Sequence, residues 1–81
     1  GVTTLGDNAW AADGVAADFA LLPPRAKLLI PGVGAREVDD TGSNLRKAGR
    51  LGQYRIEARF HSHKEALAFG SRLLPVTILT P

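Results

Sequence analysis

Residues 53–60, Gln-Tyr-Arg-Ile-Glu-Ala-Arg-Phe, alternate polar and apolar without a break. A period of two marks a strand covered on one face only, so this stretch limits the chain to folds with a half-open sheet. Tyr54, Ile56, Ala58 and Phe60 fall on the side expected to meet the core, and Gln53, Arg55, Glu57 and Arg59 on the other. Ser62, with Glu65 three residues later, forms a capping box for a helix. Ala66, Leu67, Phe69, Leu73 and Leu74 are expected to pack inward from that helix. Pro75-Val76-Thr77-Ile78-Leu79 reads as a further strand, so the unit is strand, capped helix, strand.

The first half carries a similar pattern. Asp7-Asn8 offers N-cap oxygens, and Val15, Phe19 and Leu22 share a face at helical spacing, which predicts a helix over 9–22. Gly14 would let Trp10 or a neighbouring backbone approach. Pro23-Pro24 ends that helix, and Ala26–Ile30 reads as a strand stopped by Pro31-Gly32-Val33-Gly34. Both halves run through Leu-Leu-Pro into an apolar strand ending in proline, and an offset of 52 sets Val2 and Thr4 against Tyr54 and Ile56. The expected fold is a single α+β domain, a ferredoxin-like split βαβ (βαββαβ), with two helices on one face of a four-stranded antiparallel sheet. Its first arm is 1–31, its polar linker 32–52, with one helical turn near Asn44–Ala48, and its second arm 53–81. A linker of that length is uncommon in a compact domain and is usually functional or ordered by a partner.

The chain has 81 residues, enough for one small core. It has no cysteine, which removes disulfides and thiolate metal sites. Added stability is then expected from partners. No apolar run approaches the roughly 18 residues of a membrane span, and no signal peptide is visible. The expectation is a soluble protein of the cytoplasm or of a virion. A start at Gly1 fits loss of an initiator methionine, or a chain cut from a longer one. Net charge is +2, unevenly placed: residues 1–40 carry −3 and residues 41–81 carry +5. Such a division suits a polyanion partner, or a surface that stacks on copies of itself.

Candidate chemistry is sparse. His61 and His63 flank the cap Ser62, where the chain turns, so their side chains should diverge rather than chelate. Ser62 beside a histidine has no acid to orient the base, and capping explains it better. Asp39-Asp40 reads as a pair of solvated loop charges. Gly32-Val33-Gly34 lacks the third glycine and the following helix of a dinucleotide fingerprint. Lys47-Ala48-Gly49-Arg50-Leu51-Gly52 reads as a basic loop able to hold phosphate. No catalytic residue, cofactor or metal site is expected.

The uncovered sheet face is expected to carry Lys27, Leu29, Arg55, Glu57, Arg59, Thr77 and Leu79. Leucines among charges suit an interface. Within residues 54–66, Tyr54-Arg55-Ile56, Phe60-His61-Ser62 and Lys64-Glu65-Ala66 resemble half of a SPOR domain, a ferredoxin-like module that binds peptidoglycan glycan strands. The glycine that precedes the phenylalanine in that family is missing, and the spacing is one residue short. The same stretch resembles the third strand of an RNA-recognition motif, without the aromatic ladder that stacks bases.

The function expected from these features is a non-catalytic structural or assembly subunit of a larger complex, a virion or another repeating particle. It would dock on protein partners, copies of itself among them, through Lys27, Leu29, Arg55, Glu57, Arg59 and Leu79. The alternative is a nucleic-acid or other polyanion-binding module using Arg46, Lys47, Arg50, Arg55 and Arg59. A second alternative is peptidoglycan binding, which the SPOR resemblance implies.

Overall fold

A computed structural model describes residues 1–8 and 13–80. In chain order its elements are β1 (Gly14–Ala16), β2 (Lys27–Ile30), β3 (Gly34–Asp40), α1 (Ser43–Arg50), β4 (Glu57–Ala58), α2 (His63–Phe69) and β5 (Thr77–Thr80). The strands form one five-stranded mixed sheet in the order β4-β1-β3-β2-β5. β1 and β3 run parallel; the other neighbours are antiparallel.

This corrects the expected ferredoxin-like, four-stranded antiparallel sheet. The expected helix over 9–22 is one source of the error. Its first four residues, 9–12, lie outside the described residues, but Gly14–Ala16 is a strand and the turn after it holds Leu21 and Leu22 by bonds from their amides to the Asp18 carbonyl (3.1 and 2.9 Å). Gly14 costs a helix about 1 kcal/mol against Ala. As strand it pairs with Glu37 of β3, and Val15 and Ala17 are fully buried. The resemblance between the halves holds for Leu-Leu-Pro and the strand after it, β2 and β5, but not for the strand Gly14–Ala16 before it, which stands where the second half has a helix.

The polar linker over 32–52 is the second correction, because it holds β3 and nearly all its remaining length is α1 and turns. β2 and β3 form a hairpin through Pro31-Gly32-Val33, closed by a bond from the Val33 amide to the Ile30 carbonyl at 3.0 Å. Gly32 and Gly34 take φ of +79° and +106°, which glycine adopts without steric cost. β3 then slides between β2 and β1, hydrogen-bonded on both sides. The strand expected over 53–60 is the third correction, since only Glu57 and Ala58 pair. They meet only Val15 and Ala16 of the short strand β1.

Val15, Ala17, Leu22, Ala26, Leu28, Ile30 and Val38 form the core on one side of the sheet. Each fully buried valine, leucine or isoleucine there contributes about 1.5–3 kcal/mol. Ile56, Ala58, Leu74 and Val76 pack against the same cluster, so the chain crosses this side on its way from β4 to β5. α1 buries Leu45 and Ala48, whereas α2 buries nothing completely. Leu67 and Leu73, expected inside, are 68% and 103% exposed. Among the described residues, no helix is long and apolar enough to cross a membrane.

Candidate functional site

Residues paired across a sheet point to the same side, and residues two apart on a strand share a face. Val15, Leu28 and Val38 mark the core side. The opposite side therefore carries Gly14 from β1, Ala35, Glu37 and Asp39 from β3, and Lys27 and Leu29 from β2. Arg59, just past β4, reaches over Gly14 to the Asp39 carboxylate. A Cβ at Gly14 would overlap both charged groups, so this glycine gives the pair its seat. Arg25 joins Asp7 and Glu37, the latter at 2.7 Å, and Lys27 also holds Glu37.

These charges form a self-neutralising lattice. Arg25 has a φ of +71° in the turn before β2. That left-handed backbone costs a non-glycine residue about 1–2 kcal/mol. Hydrogen bonds from Arg25 to Asp7 and Glu37 push its own pKa up and hold the Asp7 carboxyl below its ordinary range. Glu37 is held low by hydrogen bonds from Lys27 and then Arg25. Burial pushes Asp40 up, but bonds from the Thr4 hydroxyl, the Thr4 amide and the Thr41 amide outweigh it and leave Asp40 low. Asp7, Glu37 and Asp40 are thus held in their charged form by these partners.

A cleft of about 490 Å³ lies along this face, lined by Asp7, Asp13, Gly14, Arg25, Lys27, Glu37 and Asp39 among others. Within it Arg25 and Lys27 are paired with Asp7 and Glu37, and Asp39 with Arg59. Among the described residues no group of three or more His, Cys, Asp or Glu could hold a metal. The lattice links β3 to β2 through Lys27, to the turn before β2 through Arg25, and to the segment past β4 through Arg59.

The docking residues expected on one bare face separate into two margins. Leu29 and Leu79, 46% and 51% exposed, lie at the β5 side, with Leu29 opposite Thr77. Glu57 and Arg59 lie at the β4 side, three strands beyond β2, and Arg55 is exposed ahead of β4. Lys27 and Arg59 are engaged within the lattice. Of the polyanion set, Arg46, Lys47 and Arg50 share α1, Arg55 follows in the next turn, and Arg59 is turned away to Asp39. The basic loop over 47–52 is the end of α1 and its cap.

Asp39-Asp40 is corrected as well: the pair is on β3, with Asp39 only 4% exposed. Burial of a carboxylate requires a partner distant in sequence, and Arg59 supplies it. The signal available was the strict outward placement of Arg59 in 53–60. His61 and His63 are exposed around Ser62, whose Oγ accepts the Glu65 amide at 3.1 Å, as a cap does.

The SPOR resemblance implied a ferredoxin-like, four-stranded antiparallel sheet, which this chain does not have. Comparison with known proteins gives no match: no protein-family model fits the chain, and no curated protein or solved structure is similar to it.

Proposed function

We propose that this domain is a non-catalytic assembly subunit that pairs with a second copy of itself along the free edge of β5. The observation that supports this is the contrast between the two sheet edges. β4 is two residues long, contains Glu57 and is flanked by Arg55 and Arg59, the short charged form in which proteins guard an edge. β5, Thr77-Ile78-Leu79-Thr80, has no charge, proline or glycine, all four residues are exposed, and its only strand neighbour among the described residues is β2. Ile78 and Leu79 are 49% and 51% exposed, and Leu29 adjoins them.

A copy is the occupant favoured by charge. The edge is neutral and does not repel itself, while α1 with Arg46, Lys47 and Arg50 would. A two-fold axis normal to the sheet joins two antiparallel β5 strands and keeps both cores on the same side. Leu29 and Leu79 of each copy then gain cover. The half-exposed side chains contribute about 1 kcal/mol apiece on full burial, and each added backbone bond about 0.5–1.5 kcal/mol. That total is comparable with the ~4–15 kcal/mol cost of association, so a weak dimer results unless further contacts add to it.

Sedimentation velocity across a wide concentration range tests the reading. The wild type should pass from monomer to dimer, and Leu79→Lys should remain a folded monomer throughout. A wild type that stays monomeric at the highest concentration, or a Leu79→Lys variant that associates equally well, overturns it.

A further inference from the structure

α1 carries three cations and no acid. At 100° per residue, Arg46, Arg50, Ser43 and Lys47 fall in one arc of about 100°, opposite the buried Ala48 and Leu45. Arg46, Lys47 and Arg50 are all exposed, and among the described residues none makes an ion pair. Arg25, Lys27 and Arg59, by contrast, are each matched to a carboxylate. Lys47 and Arg50 in the last turn suit the helix dipole. Arg46 does not share that explanation, and its four-residue spacing from Arg50 makes a self-repelling pair on the helix surface. An external chain of negative charge would relieve that repulsion.

The arc contains no apolar side chain. A protein interface would need a water-excluding centre there, and an interfacial membrane helix would need an apolar face turned to the acyl chains. Closely spaced cations beside the Ser43 hydroxyl and the Asn44 amide group match a phosphate backbone instead, to which most protein–nucleic acid bonds are made.

We propose that the exposed face of α1 binds the phosphate backbone of a nucleic acid through Arg46, Lys47 and Arg50. With no aromatic on the arc to stack on bases, binding is independent of base sequence. It is also independent of the β5 edge.

Fluorescence anisotropy of a labelled, mixed-sequence single-stranded DNA tests this, using the full chain at low and at near-physiological salt. Three phosphate contacts predict a log–log salt slope of about −2. The triple variant Arg46→Gln, Lys47→Gln, Arg50→Gln should bind at least ~10-fold more weakly at low salt with an unchanged thermal melt. Leu79→Lys should bind the DNA as the wild type does. No anisotropy change at low salt, or undiminished binding by the triple variant, overturns the proposal. So does binding to phosphatidylserine vesicles in preference to the DNA.

Discussion

The two helices invert the usual relation between local signal and packing. α2 has the better sequence: a serine cap, an acid in the first turn and an Ala-Leu-Ala-Phe run. It nevertheless completely buries no residue. Its attachments are lateral, with Phe69 stacked obliquely on Phe60 at 5.4 Å and its ring 3.5 Å from where a Cβ on Gly32 would lie. α1 begins at Gly42 with no side-chain cap, has a glycine inside it, and carries like charges four apart. It is nevertheless anchored by Leu45, 2% exposed, and by Ala48. The lesson is that capping and propensity decide whether a helix can form alone, while a single well-placed leucine decides whether the fold depends on it.

The comparison breaks most visibly at the leucines. Leu45→Ala should lower unfolding free energy by about 2–5 kcal/mol in a urea titration, whereas Leu67→Ala on α2 should stay within about 0.5 kcal/mol of wild type. Equal effects would mean that α2 is docked as firmly as α1. Gly49→Ala comes next. Propensity alone predicts a gain of about 1 kcal/mol. A Cβ at Gly49 would overlap the Asp18 side chain, however, so overpacking should turn this into a loss of about 1–3 kcal/mol. Ser62→Ala should cost α2 about 1 kcal/mol locally. It should be visible as faster amide exchange at Glu65 and little change in melting temperature. The smallest effect is expected from mild acid. Asp7, Glu37 and Asp40 have folded-state pKa values below their unfolded ones. Their stabilisation is therefore present above about pH 4 and is lost as pH falls through the lower folded values. Amide shifts of Thr4 and Thr41, which hold Asp40, should move in that window before those of α2.

The same contrast explains what could be read from the residues alone. β2 and α2 have signals a few residues long: Ala26, Leu28 and Ile30 alternate, and Ser62 precedes Glu65 by three. β3 does not. Val38 is its one buried apolar residue, and Gly34-Ala35-Arg36-Glu37 resembles a loop until Lys27, Arg25 and two flanking ladders neutralise it. Nor does β1, whose three residues become a strand only because β3 arrives beside them. Arg59 was placed on the outward face by alternation, but its partner Asp39 lies twenty positions away, beyond the reach of any local pattern. Leu67 and Leu73 misled in the opposite direction, since helical periodicity marks a face that can be covered without saying that anything covers it.

The slot that β3 fills has a consequence for the growing chain. When β1 emerges from the ribosome, neither of its eventual neighbours exists; β4 appears more than forty residues later. The hairpin of β2 and β3 is the earliest piece able to close on itself, through a three-residue turn. β1 must then be gathered onto the exposed flank of β3, so Val15 should stay unprotected in nascent chains until Val38, its partner, has left the ribosome.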